Sequence, residues 1–98
     1  MKLWIDDVRP APEGYEWLKS TDEAIARIKH LSRCGAHIEV LDIDHDAGDY
    51  ARFGGDYIKI LDFLEEVMIS IPIRIHSMNP VGVYNIRAII KRNGWKEV

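Results

Sequence analysis

Short apolar segments that end in polar residues recur along the chain, and they predict four strands. The segments are 2–5 (KLWI), 15–19 (YEWLK), 38–44 (IEVLDID) and 71–77 (IPIRIHS). A short, continuous apolar run is typical of a strand buried on both faces of a parallel sheet, whereas the alternating second segment is typical of an edge strand. Pro72 lies near the start of the fourth segment, where a proline is tolerated.

Three longer segments carry apolar residues at helical spacing. The first follows Ser20, which forms a capping box with Glu23. The second covers 57–68 and repeats apolar residues every three or four positions along one face. The third begins after Asn79, a favourable N-cap that is followed by proline, and Asn93-Gly94 ends it. These signals predict three helices.

The alternation of strands and helices predicts an α/β fold, because right-handed crossovers between such elements build a mostly parallel sheet. We expect a flavodoxin-like or receiver-like three-layer sandwich with strand order 2-1-3-4, and residues 95–98 are a candidate fifth strand. Residues 47–56 are predicted to form a loop. The length of 98 residues predicts one domain over 1–98.

Composition and charge narrow the classes of partner. A formal net charge of −3 and few basic clusters argue against duplex nucleic acid as a partner. The single cysteine, Cys34, excludes an internal disulfide and a multi-cysteine zinc site. The sequence contains no apolar run long enough for a membrane segment or a signal peptide, so we expect a soluble, cytoplasmic protein. The edge segment 15–19 allows a weak homodimer as well as a monomer.

Three of the predicted strands end in polar residues of the kinds that bind ligands and transfer protons. These residues are Asp6-Asp7, Asp44-His45-Asp46 and His76-Ser77. Because the carboxyl ends of parallel strands lie along one edge of a sheet, and ligands bind there where the strand order reverses, we expect all of them to face one crevice.

The start of the third helix predicts an anion site at the same crevice. A helix that begins at Asn79-Pro80 directs its free backbone N–H groups towards that edge of the sheet. Gly82 falls in the first turn, where the missing Cβ allows a ligand to approach the backbone. Arg9 is a further candidate for holding a phosphate group.

The acidic pair, the aspartate after the third strand and the hydroxyl after the fourth resemble the receiver domain of two-component signalling. The resemblance implies magnesium at Asp6 and Asp7, phosphorylation of Asp44 (or, as the second choice, Asp42), and contact of Ser77 with the phosphoryl group. Lys96 lies outside the usual context of the receiver lysine, no helix separates the first two strands, and two histidines are added. These departures weigh against phosphorelay.

The chain is more similar to a receiver-derived family that is predicted to process cyclic phosphates. Its pattern resembles DD-x-R-x-x-P, D-H-D-x-G and H-S-x-N-P-x-G-x-x-N, and the chain contains DDVRPAP, DHDAG and HSMNPVGVYN in the same order. The motifs span residues 6–85. The resemblance implies a receiver-like fold and a small phosphorylated ligand, either a cyclic nucleotide or the 2′,3′-cyclic phosphate end of an RNA.

Two histidines suit the opening of a cyclic phosphodiester, since imidazoles titrate near neutral pH and exchange protons readily. We expect His45, braced by Asp44 or Asp46, to act as the base and His76 as the acid, although the reverse assignment is also possible. The side chains expected to hold the phosphate or the rest of the ligand are Arg9, Ser77, Asn79, Gly82 and Asn85.

A metal-assisted reaction fits the same residues. Asp6, Asp7 and Asp44 offer the oxygen ligands that Mg²⁺ and Mn²⁺ prefer. The sequence does not choose between two-histidine and metal-assisted hydrolysis. Two other functions stay open: capture of a nucleotide or phosphate signal without turnover, and a degenerate receiver that binds another protein.

Overall fold

Four short strands and three helices make up the chain in a computed structural model that describes residues 1–98, and a helix follows every strand except the first. The strands are β1 (Lys2–Ile5), β2 (Tyr15–Leu18), β3 (Val40–Ile43) and β4 (Ile73–Ile75). The helices are α1 (Thr21–Arg33), α2 (Ile58–Val67) and α3 (Pro80–Asn93). A short 3₁₀ helix, Gly48–Arg52, lies within the segment predicted as a loop.

The strands form one parallel sheet in the order β2-β1-β3-β4, which confirms the predicted α/β receiver-like fold and strand order. The fourth strand is shorter than predicted, and it begins after Pro72, which lacks the N–H group that a sheet ladder needs. The tail contributes one parallel bridge, from Glu97 to Ile73, beside β4. The candidate fifth strand is therefore reduced to a single bridge.

The three helices pack on one face of the sheet. The chain runs from β2 to β3 and from β3 to β4 in the same direction across the sheet, so right-handed crossovers place α1 and α2 on the same side. Helix α2 contacts both α1 and α3. The sheet residues under the helices are fully buried: Leu3, Ile5, Leu41, Ile43 and Ile73.

The other face of the sheet carries no helix and is called the open face below. The three-layer arrangement expected from the sequence would need a helix here, but a loop of nine residues, 6–14, joins β1 directly to β2. Trp17, Trp4, Asp42 and Arg74 are register partners across the four strands and so share this face. The layer that would have been helical is thus replaced by aromatic and polar side chains.

Side-chain caps begin two of the helices, as predicted. The Ser20 hydroxyl accepts a hydrogen bond from the Glu23 N–H at the start of α1. The Asn79 side chain accepts one from the Gly82 N–H at the start of α3, and Gly94, at φ +66°, ends that helix. None of the three helices is long and apolar enough to cross a membrane.

Candidate functional site

Three carboxylates meet at the carboxyl ends of the two central strands. Asp6 and Asp7 follow β1, and Asp44 follows β3, its neighbour in the sheet. One ligand oxygen from each of the three lies within 4.8 Å of the others. The sequence predicted this juxtaposition, and the three residues are called the acidic cluster below.

Asp6 is the most completely bonded member of the acidic cluster. Its Oδ1 accepts hydrogen bonds from the N–H groups of Val8 (3.0 Å) and Arg9 (2.9 Å). Its Oδ2 lies 2.9 Å from His76 Nε2 and 3.1 Å from Arg9 Nε. Burial alone raises the pKa of Asp6, but the backbone hydrogen bonds, His76 and the Arg9 charge together bring that pKa below its usual value. Asp6 is therefore held as a carboxylate.

Arg9 connects the acidic cluster to the end of β4. Its Nη2 lies 3.4 Å from Asp44 Oδ2, and its Nη1 donates to the carbonyl of His76 at 3.2 Å. With the contact to Asp6, the guanidinium thus spans the ends of three strands. The Arg9 side chain is still 43% exposed, so it keeps a surface that an anion can approach.

Asp7 is less well compensated than Asp6. Burial and the charges of Asp6 and Asp44 raise its pKa above the usual value for an aspartate. Gly48 lies against this carboxylate, and its φ of +54° is one that residues with a Cβ rarely adopt. A cation beside Asp7 would relieve the repulsion within the acidic cluster.

His76 is enclosed between two buried carboxylates and an indole ring. Its Nδ1 lies 2.7 Å from Asp42 Oδ1, and its Nε2 lies 2.9 Å from Asp6 Oδ2. The ring stacks on Trp4 with centroids 3.9 Å apart and planes 3° from parallel. Its side chain is 11% exposed. Both ring nitrogens are thus engaged within the protein, on the open face of the sheet.

His45 lies on the helical side of the same edge. Its Nδ1 lies 2.8 Å from Asp46 Oδ1, whereas its Nε2 has no hydrogen-bond partner in the protein. A Cβ on Gly82 would come within 2.7 Å of the His45 Cδ2 atom, so the imidazole packs directly on the first turn of α3. The two predicted histidines therefore occupy different environments.

The start of α3 joins the predicted ligand-binding residues to His45. The Asn79 amide nitrogen donates to Asp46 Oδ2 at 3.3 Å, so the cap of α3 also braces the carboxylate that holds the imidazole. Ser77 Oγ accepts the Asn79 N–H at 3.1 Å, which leaves the hydroxyl proton free to donate. Asn85 is exposed on α3 and makes no hydrogen bond to these residues.

Two residues with contacts to the site, Trp4 and Asp56, were not among the predicted site residues, and Asp42 was expected only as the second choice for phosphorylation. Asp42 and Trp4 enclose His76, and Asp56 accepts the Ala47 N–H and, with His45 and Asp46, offers three ligand atoms within 4.8 Å of one another. A charged residue inside the apolar segment IEVLDID was a signal for Asp42. The sequence around Asp56, by contrast, contains no such signal.

The site is an open surface and not an enclosed cavity. The surface cavities of the molecule lie elsewhere, beside β2 and α1, along the outer side of α3, and at the opposite end of the sheet. The polar residues at the carboxyl edge fill their own space by bonding to one another. A ligand at this edge would therefore rest on the cluster and remain in contact with water.

The fold and the edge residues define a receiver-like α/β domain with two histidines at the carboxyl edge of its sheet. The family model described as the cyclic-phosphate processing Receiver domain matches residues 1–92, and the chain belongs to this family. Searches among curated proteins and among solved structures find no match.

Proposed function

We propose that this chain hydrolyses a cyclic phosphodiester, either the 2′,3′-cyclic end of an RNA or a cyclic nucleotide, at the carboxyl edge of its sheet. The observation that carries the proposal is His45: Asp46 holds its Nδ1 at 2.8 Å, which leaves Nε2 unpartnered beside the capped start of α3. A carboxylate on one ring nitrogen holds the proton there, so the lone pair of the other nitrogen is free to accept a proton. Membership of the cyclic-phosphate processing family supports the choice of substrate.

In this proposal the phosphoryl oxygens are held by three kinds of donor. The exposed guanidinium of Arg9 supplies charge, Ser77 supplies a hydroxyl proton, and the Val81 N–H supplies a backbone donor. It is the free N–H of this turn, because Pro80 has none and those of Gly82 and Val83 are bonded to Asn79. Asn79 orders this turn by capping it. The absence of a Cβ at Gly82 makes room for the imidazole beside the bound group.

The reaction consumes one water molecule and needs no other reagent. His45 Nε2 removes a proton from the water as its oxygen bonds to phosphorus, and the bond from phosphorus to one ring oxygen breaks. The leaving oxygen takes up a proton from solvent, which reaches this open edge, and His45 releases its proton to solvent. The product is a linear phosphomonoester. A general base of this kind contributes about 10²–10⁴-fold to the rate.

The acidic cluster suits a hard divalent cation. Asp6, Asp7 and Asp44 would hold Mg²⁺ or Mn²⁺, and the raised pKa of Asp7 marks a concentration of negative charge that such an ion would offset. A bound ion would stabilise charge on the phosphoryl group and lower the pKa of a coordinated water.

The proposal is tested by incubating the protein with 2′,3′-cyclic, 3′,5′-cyclic and cyclic oligonucleotides, with Mn²⁺ or with EDTA, and then denaturing and separating the mixture. We expect a linear phosphomonoester from at least one substrate. His45→Asn should abolish the product, whereas His30→Asn, on the exposed surface of α1, should leave it unchanged. If every substrate stays intact and free, the proposal is wrong.

A second candidate function is capture of the same ligand without turnover. Two observations favour it: His45 is the one site histidine with a free nitrogen, and no cavity encloses the site. In the same experiment a captured ligand would leave solution and return intact after denaturation.

A further inference from the structure

The surroundings of His76 differ from those of a group that exchanges protons with a ligand. Each ring nitrogen lies within 2.9 Å of an oxygen of a buried carboxylate, and the sheet position of Asp42 places that contact on the open face. To donate a proton to a ligand, the ring would have to give up one of these contacts. It would also have to leave its stack on Trp4.

The contacts beyond His76 lead towards the phosphate site. The order is Asp42, His76, Asp6, Arg9 and Asp44, with successive side-chain contacts of 2.7, 2.9, 3.1 and 3.4 Å. Acidic and basic groups alternate along this chain of contacts, so each member is held by a neighbour of opposite character. Trp4 strengthens the arrangement, because its indole N–H donates to the Arg9 carbonyl at 2.8 Å.

We infer that His76 is a positioning residue: Asp42 and Trp4 fix its ring, and the ring orients Asp6 and, through Asp6, the Arg9 guanidinium. This inference rests on the proposed function, since Arg9 is assigned there to the phosphoryl oxygens. Asp42 thereby has a role in the site, although this residue is buried in β3 and would not contact the ligand. Proton transfer at the reacting atoms belongs to His45 alone.

The first test separates positioning from proton donation by varying the leaving group. Uridine 2′,3′-cyclic phosphate releases an alkoxide, whereas catechol cyclic phosphate releases a phenoxide, which needs little help from an acid. We expect Asp42→Asn and His76→Asn to lower kcat by about 10- to 100-fold, by the same factor on both substrates. If His76→Asn is rescued on catechol cyclic phosphate, His76 is the acid and the inference is wrong.

A second readout does not need turnover, so it distinguishes failure of the inference from failure of the proposed function. The Arg9 Nε–H signal in a ¹⁵N NMR spectrum, assigned from its loss in Arg9→Lys, should shift in Asp42→Asn and His76→Asn. It should stay in place in the matched surface control His30→Asn. An unchanged Arg9 signal in folded Asp42→Asn would overturn the inference, whether or not the wild type hydrolyses a substrate.

The wild-type protein provides a third reading if both variants fail to fold. The stacked rings of His76 and Trp4 should give a nuclear Overhauser cross-peak, because their centroids are 3.9 Å apart. We expect it to persist at saturating uridine 2′,3′-cyclic phosphorothioate and, in a separate sample, at saturating inorganic phosphate. Its loss with either ligand would mean that the ring leaves the stack, which contradicts a positioning role.

Discussion

At the scale of single residues, the site combines a carboxylate that favours folding with one that opposes it. Asp6 has a lowered pKa, so its ionised form is stabilised in the folded protein. The pKa of Asp7 is raised by burial and by two neighbouring carboxylates, so its ionised form is disfavoured there. A residue that lowers stability beside a well-bonded neighbour is typical of a functional site.

Removing the charge of Asp7 should stabilise the protein. The unfolded-state pKa is near 3.8 and the folded-state pKa lies above it, so the folded state binds the proton more tightly. The free energy of unfolding of the wild type therefore falls as the pH rises from the pKa of Asp7 in the unfolded state to its pKa in the folded state. We expect Asp7→Asn to raise the Tm by roughly 2–5 °C at pH 7 in EDTA, and the gain to vanish below the unfolded pKa.

The control for this prediction is Asp49→Asn, which removes an exposed carboxylate from the 3₁₀ helix Gly48–Arg52. Thermal unfolding followed by circular dichroism from pH 3 to 7 measures both variants. An equal gain in Asp49→Asn would attribute the effect to net charge and not to crowding in the acidic cluster.

Gly82 is expected to be required because His45 occupies the space of a Cβ. Alanine is favoured over glycine inside a helix by about 1 kcal/mol, so Gly82→Ala would ordinarily stabilise α3. Here the added methyl would overlap the imidazole, and we expect a net destabilisation of about 1–3 kcal/mol with loss of turnover. Urea unfolding measures the change, with Val81→Ala as the control in the same turn. A Gly82→Ala protein more stable than wild type would contradict this packing.

At the scale of elements, the two side-chain caps have the same local geometry but different surroundings. Ser20 caps α1 through the Glu23 N–H, and its capping contact involves no site residue. Asn79 caps α3 through the Gly82 N–H and also binds Asp46, the carboxylate that holds His45. The comparison separates the stability of a helix from its effect on the site.

We expect Ser20→Ala and Asn79→Ala to lose similar stability, about 1 kcal/mol each, because each leaves a helix N-terminus without its side-chain acceptor. Only Asn79→Ala should also lower kcat, since Asp46 loses a partner and α3 begins at the phosphate site. Urea unfolding and steady-state kinetics on the same samples measure both effects. Equal losses of kcat in the two variants would mean that the cap acts on the site only through global stability.

Local signals were sufficient to predict the elements but not the layers that they form. The caps at Ser20 and Asn79 are local in sequence, and the alternation of strands and helices predicts the parallel sheet, whose order follows the flavodoxin-like arrangement. The missing layer could not be predicted from periodicity, because a buried strand has the same apolar sequence pattern whether a helix or a loop covers its second face. The loop 6–14 contained the necessary information, since it is too short for a helical crossover.

The candidate site was likewise predicted only in part: the sequence predicted which carboxylates lie together, but not how His76 is enclosed. Grouping of Asp6, Asp7 and Asp44 follows from parallel strands alone. The orientation of the His76 ring does not follow in this way, because it depends on contacts with Asp42 and Trp4 on the open face. These three residues lie on different strands or strand ends, so no local sequence pattern links them. The enclosure of His76 is a tertiary property.

At the scale of the whole molecule, charge opposes the ligand that we propose. The chain has a formal net charge of −3, and three carboxylates lie at the edge where a phosphate would bind. Long-range attraction cannot guide the anion to this site, so its affinity must come from local donors and from any bound cation. Arg9 is the one arginine or lysine that makes an ion pair with the acidic cluster.

Ligand binding should therefore stabilise the fold in a manner that depends on both Arg9 and a divalent cation. At about ten times its Kd, a slowly hydrolysed uridine 2′,3′-cyclic phosphorothioate adds roughly 1.4 kcal/mol to the free energy of unfolding, which corresponds to a rise in Tm of about 5–10 °C. Arg9→Lys loses the planar donor fork and should show less than half of this rise at the same ligand concentration.

Mn²⁺ should increase the rise in the wild type but not in Asp7→Asn, because Asp7 belongs to the cluster that would hold the ion. Differential scanning calorimetry with Arg87→Lys as the control, whose guanidinium pairs with Glu97 away from the site, measures all four proteins. An equal rise in Arg9→Lys and Arg87→Lys would mean that the ligand binds elsewhere on the molecule.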